Sequence, residues 1–311
     1  MHLSLRRRNL DWQSLLFTAT TGFATAVIVA MVCVILGNII WNGAAQWSLR
    51  FILGGTGEGM FDADKAGVFP MIFGTVALVT LMTICVVPVG VITAVYLTEY
   101  AKRGSPLTRV IRGAINNLAG VPSIVFGLFG LGFFVQFVGG GMDALLYGGQ
   151  LHYRKPAILW AAATMAVLTL PVMIVATEES LRAIPRTLRE GSFALGATKL
   201  ETIWRIVIPQ AMPGILTGAI LSVSRGAGEV APIMFTGAAY YLAHLPHQWT
   251  DQFMHLGYHV FVLSTQSPDI ERTKPILFGS VLVLLVLTFL LNLAGVLVRA
   301  RIRARARQAH G

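Results

Sequence analysis

The sequence predicts an all-α membrane protein with six transmembrane helices, and three observations predict it. Six separate apolar stretches each supply the roughly 20 residues that an α-helix needs to cross a bilayer. Only 12% of the 311 residues are charged, while 55% are hydrophobic and the mean hydropathy is +0.69. Soluble domains carry a charged fraction of about 25%. Lysines and arginines gather beside alternate ends of the apolar stretches, as membrane topology demands. A soluble fold would have to bury six bilayer-length apolar runs, which excludes that class.

The expected spans are, in order, Leu15–Ile40, Val68–Leu97, Leu118–Val138, Pro156–Thr177, Met212–Phe235 and Ile276–Val298. The second holds Pro88 and Gly90, which predicts a kink or tilt. The third carries Gly127, Gly130 and Gly132, small residues that let helix backbones approach closely in lipid. Arg6, Arg7 and Arg8 precede the first span. A secretory leader can begin this way, but the apolar run is too long for one and no A-x-A site follows. The segment reads as a retained helix.

Seventeen of the 24 lysines and arginines fall in the termini and in the segments after spans two and four; six fall in the opposite loops, and Arg225 lies within a span. The positive-inside rule then predicts that both termini are cytoplasmic, which an even number of spans allows. The net charge of +10 reads as contact with anionic leaflet lipids, not nucleic acid. Arg299, Arg301, Arg303, Arg305 and Arg307 follow the last span directly and fit leaflet anchoring better than a nucleic-acid arm. Cys33 and Cys85 sit inside apolar runs and read as small packing residues, with no disulfide framework and no zinc site.

The organisation expected is an N-terminal tail, first span and loop over residues 1–67, a membrane-spanning core over 68–298, and a basic tail over 299–311. Residues 41–67, with Glu58, Asp62, Asp64 and several glycines, read as a loop. Within the long segment 237–275, a short interfacial helix is expected near Gln248–Leu263, beside Trp249. His244, His247, His255 and His259 gather there. His255 and His259 share a helix face, as zinc ligands can, but no cysteine or well-spaced acid accompanies them. An ordinary interfacial helix is the better reading, with no metal and no cofactor. No grouping of Ser, His and Asp, and no carboxylate pair, suggests catalysis.

The most distinctive stretch is the polar segment 178–210 between spans four and five. Phe193, Leu195, Leu200, Ile203 and Trp204 interleave with charges, as in an amphipathic helix. Pro185 can start a helix. Gly196 interrupts the pattern, either for a sharp turn or for close approach of another backbone. Pro209 is expected to break the helix before the next span. Pattern alone leaves two readings open: a helix lying on the membrane surface or an element that docks into a partner.

A resemblance favours the second. Glu190, Gly196 six residues on, and Ile206-Val207-Ile208-Pro209 after that resemble the "EAA" loop of ABC importer permeases, with Gly191-Ser192 for the usual two alanines and Ile208 for the usual leucine. The resemblance implies the type I importer permease architecture and a loop that couples to a separate ATPase dimer. No G-x-x-x-x-G-K-[ST] motif occurs in the chain, so ATP hydrolysis would belong to another protein.

Arg225 and Glu229 lie in the fifth span, in Ser224-Arg225-Gly226-Ala227-Gly228-Glu229-Val230-Ala231-Pro232. A charge at the bilayer centre costs at least about 2.5–3.5 kcal/mol, and at i and i+4 the two can meet on one face. One reading is a salt bridge that locks helices. The other is a contact or gate on the path of an anion, since guanidinium matches phosphate oxygens with a planar fork. Gly226 and Gly228 would admit another backbone, and Pro232 would break the helix.

The stretch Ala227–Pro232, with Tyr96–Tyr100 and Gly120–Gly127, resembles the A-type permeases of phosphate importers over roughly residues 70–300. The resemblance implies phosphate as substrate, a second permease, a periplasmic phosphate-binding protein and the ATPase dimer as partners, and no catalysis by this chain. The alternatives are an importer permease for molybdate, sulfate or an amino acid, a stand-alone carrier or channel, or a membrane scaffold.

Overall fold

The structure is a computed structural model, and it describes residues 12–56, 61, 62, 65–102 and 104–308, with side chains to 304. Arg6, Arg7, Arg8, Glu58, Asp64, Arg103 and the side chains of Arg305 and Arg307 lie outside the described residues.

Among the described residues, six helices are long and apolar enough to cross a membrane. Helix α1 spans Trp12–Gly43, ends in a 3₁₀ turn and is followed by the short α2, Leu49–Leu53. Helix α3 spans Phe69–Val95 and continues as a wider, π-helical turn over Tyr96–Tyr100; it runs on through Pro88. Helix α4, Pro106–Ala119, precedes the third span, which is built from α5 (Ser123–Phe129), a π-helical stretch (Gly130–Gly139) and α6 (Gly140–Leu146). Helix α7 is Ile158–Arg182 and α8 is Arg186–Ala194. Helix α9, Lys199–Thr202, runs through a π-helical turn, Ile203–Val207, into α10, Ile208–Gly228. Helix α11 is Ala231–Thr236, α12 is Leu256–Thr265 and α13 is Ile270–Gln308.

Helices α3, α7 and α10 make the centre. Leu78, Met82 and Val86 of α3 meet Met165, Met173 and Ile174 of α7 and Ile215 of α10, all buried. Small residues set the spacing, because no hydrophobic force distinguishes helix from lipid. A Cβ on Gly90 would stand 2.5 Å from Met173 Cγ, and one on Gly218 3.0 Å from Ala176 Cβ. By contrast, α1 has none of its apolar window buried and α13 only 6%, so both are peripheral, with α1 leaning on α13. Cys33 and Cys85 are exposed on helix surfaces, not packed as expected; this chain puts nothing over them.

The third span starts at Ser123, not Leu118. Leu107, Val110, Ile111, Ile115 and Leu118 fall at helical spacing on one side of α4 and Arg109, Arg112 and Asn116 on others, so 106–119 is an amphipathic helix of its own. It stops because Val121 precedes Pro122, which disfavours the helical conformation. Of the three span-three glycines, Gly127 packs against Ala231 and Phe235, and Gly130 against Thr164 and Thr236, while Gly132 meets nothing.

The segment 237–275 also departs from expectation. Its helix begins at Leu256, because residues 248–255 are taken up in an irregular run that pairs Ala238 with Phe253. The Ala239 N–H donates to the Phe253 carbonyl at 2.8 Å. Helix α12 buries one face: Leu256, Val262 and Leu263 pack with Met71 of α3 and Ile276 of α13, the Leu256 N–H donates to Thr75 Oγ1, and Phe261, Ser264 and Thr265 stay exposed. His255 and His259 are buried within this packing. No group of three or more metal-ligating side chains occurs among the described residues.

Candidate functional site

Two places hold the residues singled out by the sequence: a break between α10 and α11, where the fifth span ends, and a helical hairpin at one end of the bundle.

Helix α10 stops at Gly228, and Glu229 is extended (φ −81°, ψ 134°) before α11 resumes. The fifth span is therefore a broken helix, and Pro232 is not where it breaks: the chain has already left the helix at Glu229, three residues earlier. Its depth is set by Gly226, which rests on Met82 and lies near Met165, both deep in their own spans. Broken helices at such depth are tolerated where they are covered by protein or line a wet cavity. Gly226 meets a side chain rather than a backbone, and Gly228 meets nothing.

Arg225 occupies the last turn of α10, where a cation also suits the helix dipole. Its Nε stands 3.5 Å from Glu229 Oε1, and the two side chains are 36% and 24% exposed. The pair thus forms, though not on one helix face. A long, half-exposed ion pair adds only about 0–1 kcal/mol, too little to justify two charges at this depth as a lock alone.

The hairpin is specified residue by residue. Pro185 is extended and caps α8 from outside, rather than opening its first turn. Helix α8 ends in a Schellman turn: the Gly196 N–H donates to Phe193 O, and the Ala197 N–H to Ser192 O. That turn needs a left-handed residue, and Gly196 supplies it at φ +83° with nothing near it. Thr198 and Glu201 then form a capping box that starts α9. Ser192 and Thr202, both buried, join the two helices through their hydroxyls at 2.9 Å.

Pro209 does not break the helix. The Ile208 N–H donates to Ile203 O, five residues back, so the ladder is already widened where Pro209 has no N–H to give. Ile206 is half-buried, and Glu190 and Pro209 are exposed. Glu190 lines a cleft of about 430 Å³ with Glu99, Arg182, Arg186 and Arg189. The hairpin leaves Leu195 90%, Trp204 63% and Leu200 58% exposed, whereas Ile203 is buried.

The sequence did not single out the charges that hold this end. Arg189 donates to Glu99 Oε1 from Nε and Nη2 at 3.2 and 2.8 Å, and to the Ile184 and Leu181 carbonyls at 2.9 Å each. Arg112 of α4 grips Glu178 of α7. Only the i, i+4 spacing of Glu178 and Arg182, which pair at 3.5 Å, was visible in advance.

Residues 86–308 match the family described as binding-protein-dependent transport system inner membrane component. The chain belongs to this family. Among its relatives, the probable ABC transporter permease protein YqgI of Bacillus subtilis is 34% identical over 71% of this chain and 69% of its own length. The phosphate transport system permease protein PstA 1 of Mycobacterium tuberculosis is 36% identical over 75% of this chain and 70% of its own. Among solved structures, a chain of a bacterial alginate ABC transporter, in complex with its alginate pentasaccharide-bound periplasmic protein, superposes with a TM-score of 0.63 at 12% identity, covering 92% of this chain and 96% of that one. The fold is that of type I ABC importer permeases, and this family member is a multi-pass protein of the inner membrane.

Proposed function

We propose that this chain is the membrane-spanning permease subunit of an ATP-driven phosphate importer and has no catalytic activity of its own. It would form the path with a second, related permease, receive phosphate from a periplasmic phosphate-binding protein, and couple to a separate ATPase dimer. Both termini and the hairpin would face the cytoplasm, and the division into residues 1–67, 68–298 and 299–311 would follow.

The observation that carries the reading is the hairpin. Leu195, Leu200 and Trp204 stand in the open on a segment fixed by a Schellman turn and a capping box. Exposed apolar residues on an ordered helical surface suit docking into a partner. Glu190, Gly196, Ile206 and Pro209 would belong to that docking element. Arg225 and Glu229 suit the path: they lie at a deep helix break, and Arg225 is held only loosely. An incoming phosphate could take the guanidinium from Glu229. The phosphate assignment is supported by the named phosphate permease among the relatives.

Uptake of radiolabelled phosphate, sulfate and molybdate by cells lacking this chain tests the proposal. Phosphate uptake alone should fall and return on complementation. Normal phosphate uptake with another anion lost would overturn the substrate.

A further inference from the structure

Both helices of the hairpin are fastened to one short element, the π-helical turn Tyr96–Tyr100 that ends the second span. From α8, the Arg189 guanidinium holds the Glu99 carboxylate with two hydrogen bonds and ties it to the end of α7 through Leu181 O and Ile184 O. From α9, Lys199 Nζ donates to the Glu99 carbonyl and sits 4.5 Å above the Tyr100 ring. Side chain and main chain of Glu99 are thus gripped by opposite arms of the hairpin.

The Arg189–Glu99 link is largely withdrawn from solvent, while the Lys199 link lies at the surface. The side chains of Arg189 and Glu99 are 16% and 11% exposed. A charge-assisted pair withdrawn from water to this degree, with all three guanidinium nitrogens donating, holds its geometry more firmly than a surface ion pair. Around it the packing is open. The cleft lined by Thr98, Glu99, Arg186 and Phe193 lies on the α8 side, and an apolar cleft of about 300 Å³ lined by Tyr96, Tyr100, Leu200 and Trp204 lies on the α9 side. The hairpin therefore meets the second span through a few directed bonds, not through a continuous packed face. A π-helical turn is also where a helix departs from its regular ladder, as such turns often do at functional positions.

We propose that Glu99 is the positioning residue through which displacement of the hairpin reaches the second span. This rests on the reading of the hairpin as the ATPase-coupling element. When a partner pushes the hairpin, α8 and α9 would pull the Tyr96–Tyr100 turn together, and α3, at the centre of the bundle, would move with them. Without the Glu99 carboxylate, the hairpin could still dock, because Leu195 at its tip is 90% exposed and lines neither cleft, but its movement would be spent in the open clefts.

The test uses the full transporter, with its second permease, ATPase and binding protein, in proteoliposomes. The near-isosteric E99Q and R189K are compared with E99D, which keeps the carboxylate. Both E99Q and R189K should retain wild-type yields of co-purified ATPase and continue to hydrolyse ATP. Phosphate imported per ATP should fall about tenfold, the change expected from losing a charge-assisted hydrogen bond. E99D should recover most of that ratio. An unchanged ratio in both, or loss of assembly in both, overturns the proposal, since Glu99 would then be dispensable or a fold element only. Failure of the wild-type chain to retain an ATPase would instead strike the coupling reading itself.

Discussion

Arg112 holds Glu178 by two hydrogen bonds, Nη2 to Oε1 at 2.8 Å and Nη1 to Oε2 at 3.1 Å, across 66 residues of chain. The fork geometry ties the amphipathic α4 to the end of α7. Glu178 is only 10% exposed, so stripping its partner leaves a carboxylate short of compensation. Arg112→Ala should cost about 1–3 kcal/mol, discounted from the cost of fully buried pairs because the Arg112 side chain is itself 36% exposed. The double variant Arg112→Ala with Glu178→Gln should recover part of the loss. Thermal unfolding in detergent reads both, and equal midpoints for wild type and Arg112→Ala would refute the pairing.

Arg225→Gln should abolish uptake while the complex assembles at normal yield. The guanidinium packs no core: its only ion-pair partner among the described residues is Glu229, at 3.5 Å. Loss of fold is therefore not the expected outcome. Glu229→Gln should be milder, retaining measurable uptake, because it frees the arginine without removing it. Uptake at the wild-type rate in Arg225→Gln would remove the residue from the path.

Gly196 separates backbone cost from crowding. Nothing lies within 4 Å of its would-be Cβ, so Gly196→Ala adds no clash and only places an L-residue at φ +83°. That should cost about 1–2 kcal/mol locally. Gly196→Asn, which tolerates the left-handed region, should cost less. The readout is the yield of co-purified ATPase: reduced for Ala, near normal for Asn. If Ala and Asn behave alike, the Schellman turn does not set the docking geometry.

Much of this was legible in the sequence because it rests on local rules. The six spans announce themselves by length and apolarity, and Gly196 by its place between two amphipathic runs. What stayed hidden depends on distant partners. Nothing in the order of residues pairs Arg112 with Glu178 or Glu99 with Arg189, which lie 66 and 90 positions apart. Helix α4 was obscured because its apolar Leu118 abuts the next span and merges with it in any hydropathy window. The run of Pro209 into a continuous helix was missed because proline's cost assumes a regular ladder, and the preceding π-helical turn had already changed it. The packing of α12 on α3 stayed hidden because Leu256 and Thr75, which share a hydrogen bond, lie 181 positions apart.

Leu195 and Trp204 offer the reverse of a core test. Since they are 90% and 63% exposed, replacing both with serine should leave the permease's own thermal midpoint within about 0.5 kcal/mol of wild type. Binding of the ATPase should weaken strongly, as truncation of a buried aromatic anchor costs about 2 kcal/mol or more at an interface. Size-exclusion chromatography of the two components resolves this: unchanged co-elution would mean that some other surface makes the contact.

His255 and His259 predict a pH dependence whose sign is fixed by their burial. His255 Nδ1 accepts from the Gly257 N–H at 3.1 Å, so the neutral ring carries its proton on Nε2, which has no partner; neither nitrogen of His259 has one. Burial favours the neutral form and pulls His255 down to about 3 and His259 down to about 4 from the ordinary 6.5. Above pH 6.5 both rings are neutral whether α12 is packed or not, and their contribution to stability is complete. As pH falls below 6.5, the unpacked state takes up protons that the packed state refuses, so stability declines until the folded values near 4 and 3 are reached. Each ring should account for about 2 kcal/mol between pH 6.5 and 5. Thermal unfolding of the purified complex should therefore fall from pH 7 to pH 5, and His259→Leu should flatten that slope by roughly half. A slope identical in wild type and His259→Leu would show that the acid sensitivity arises elsewhere.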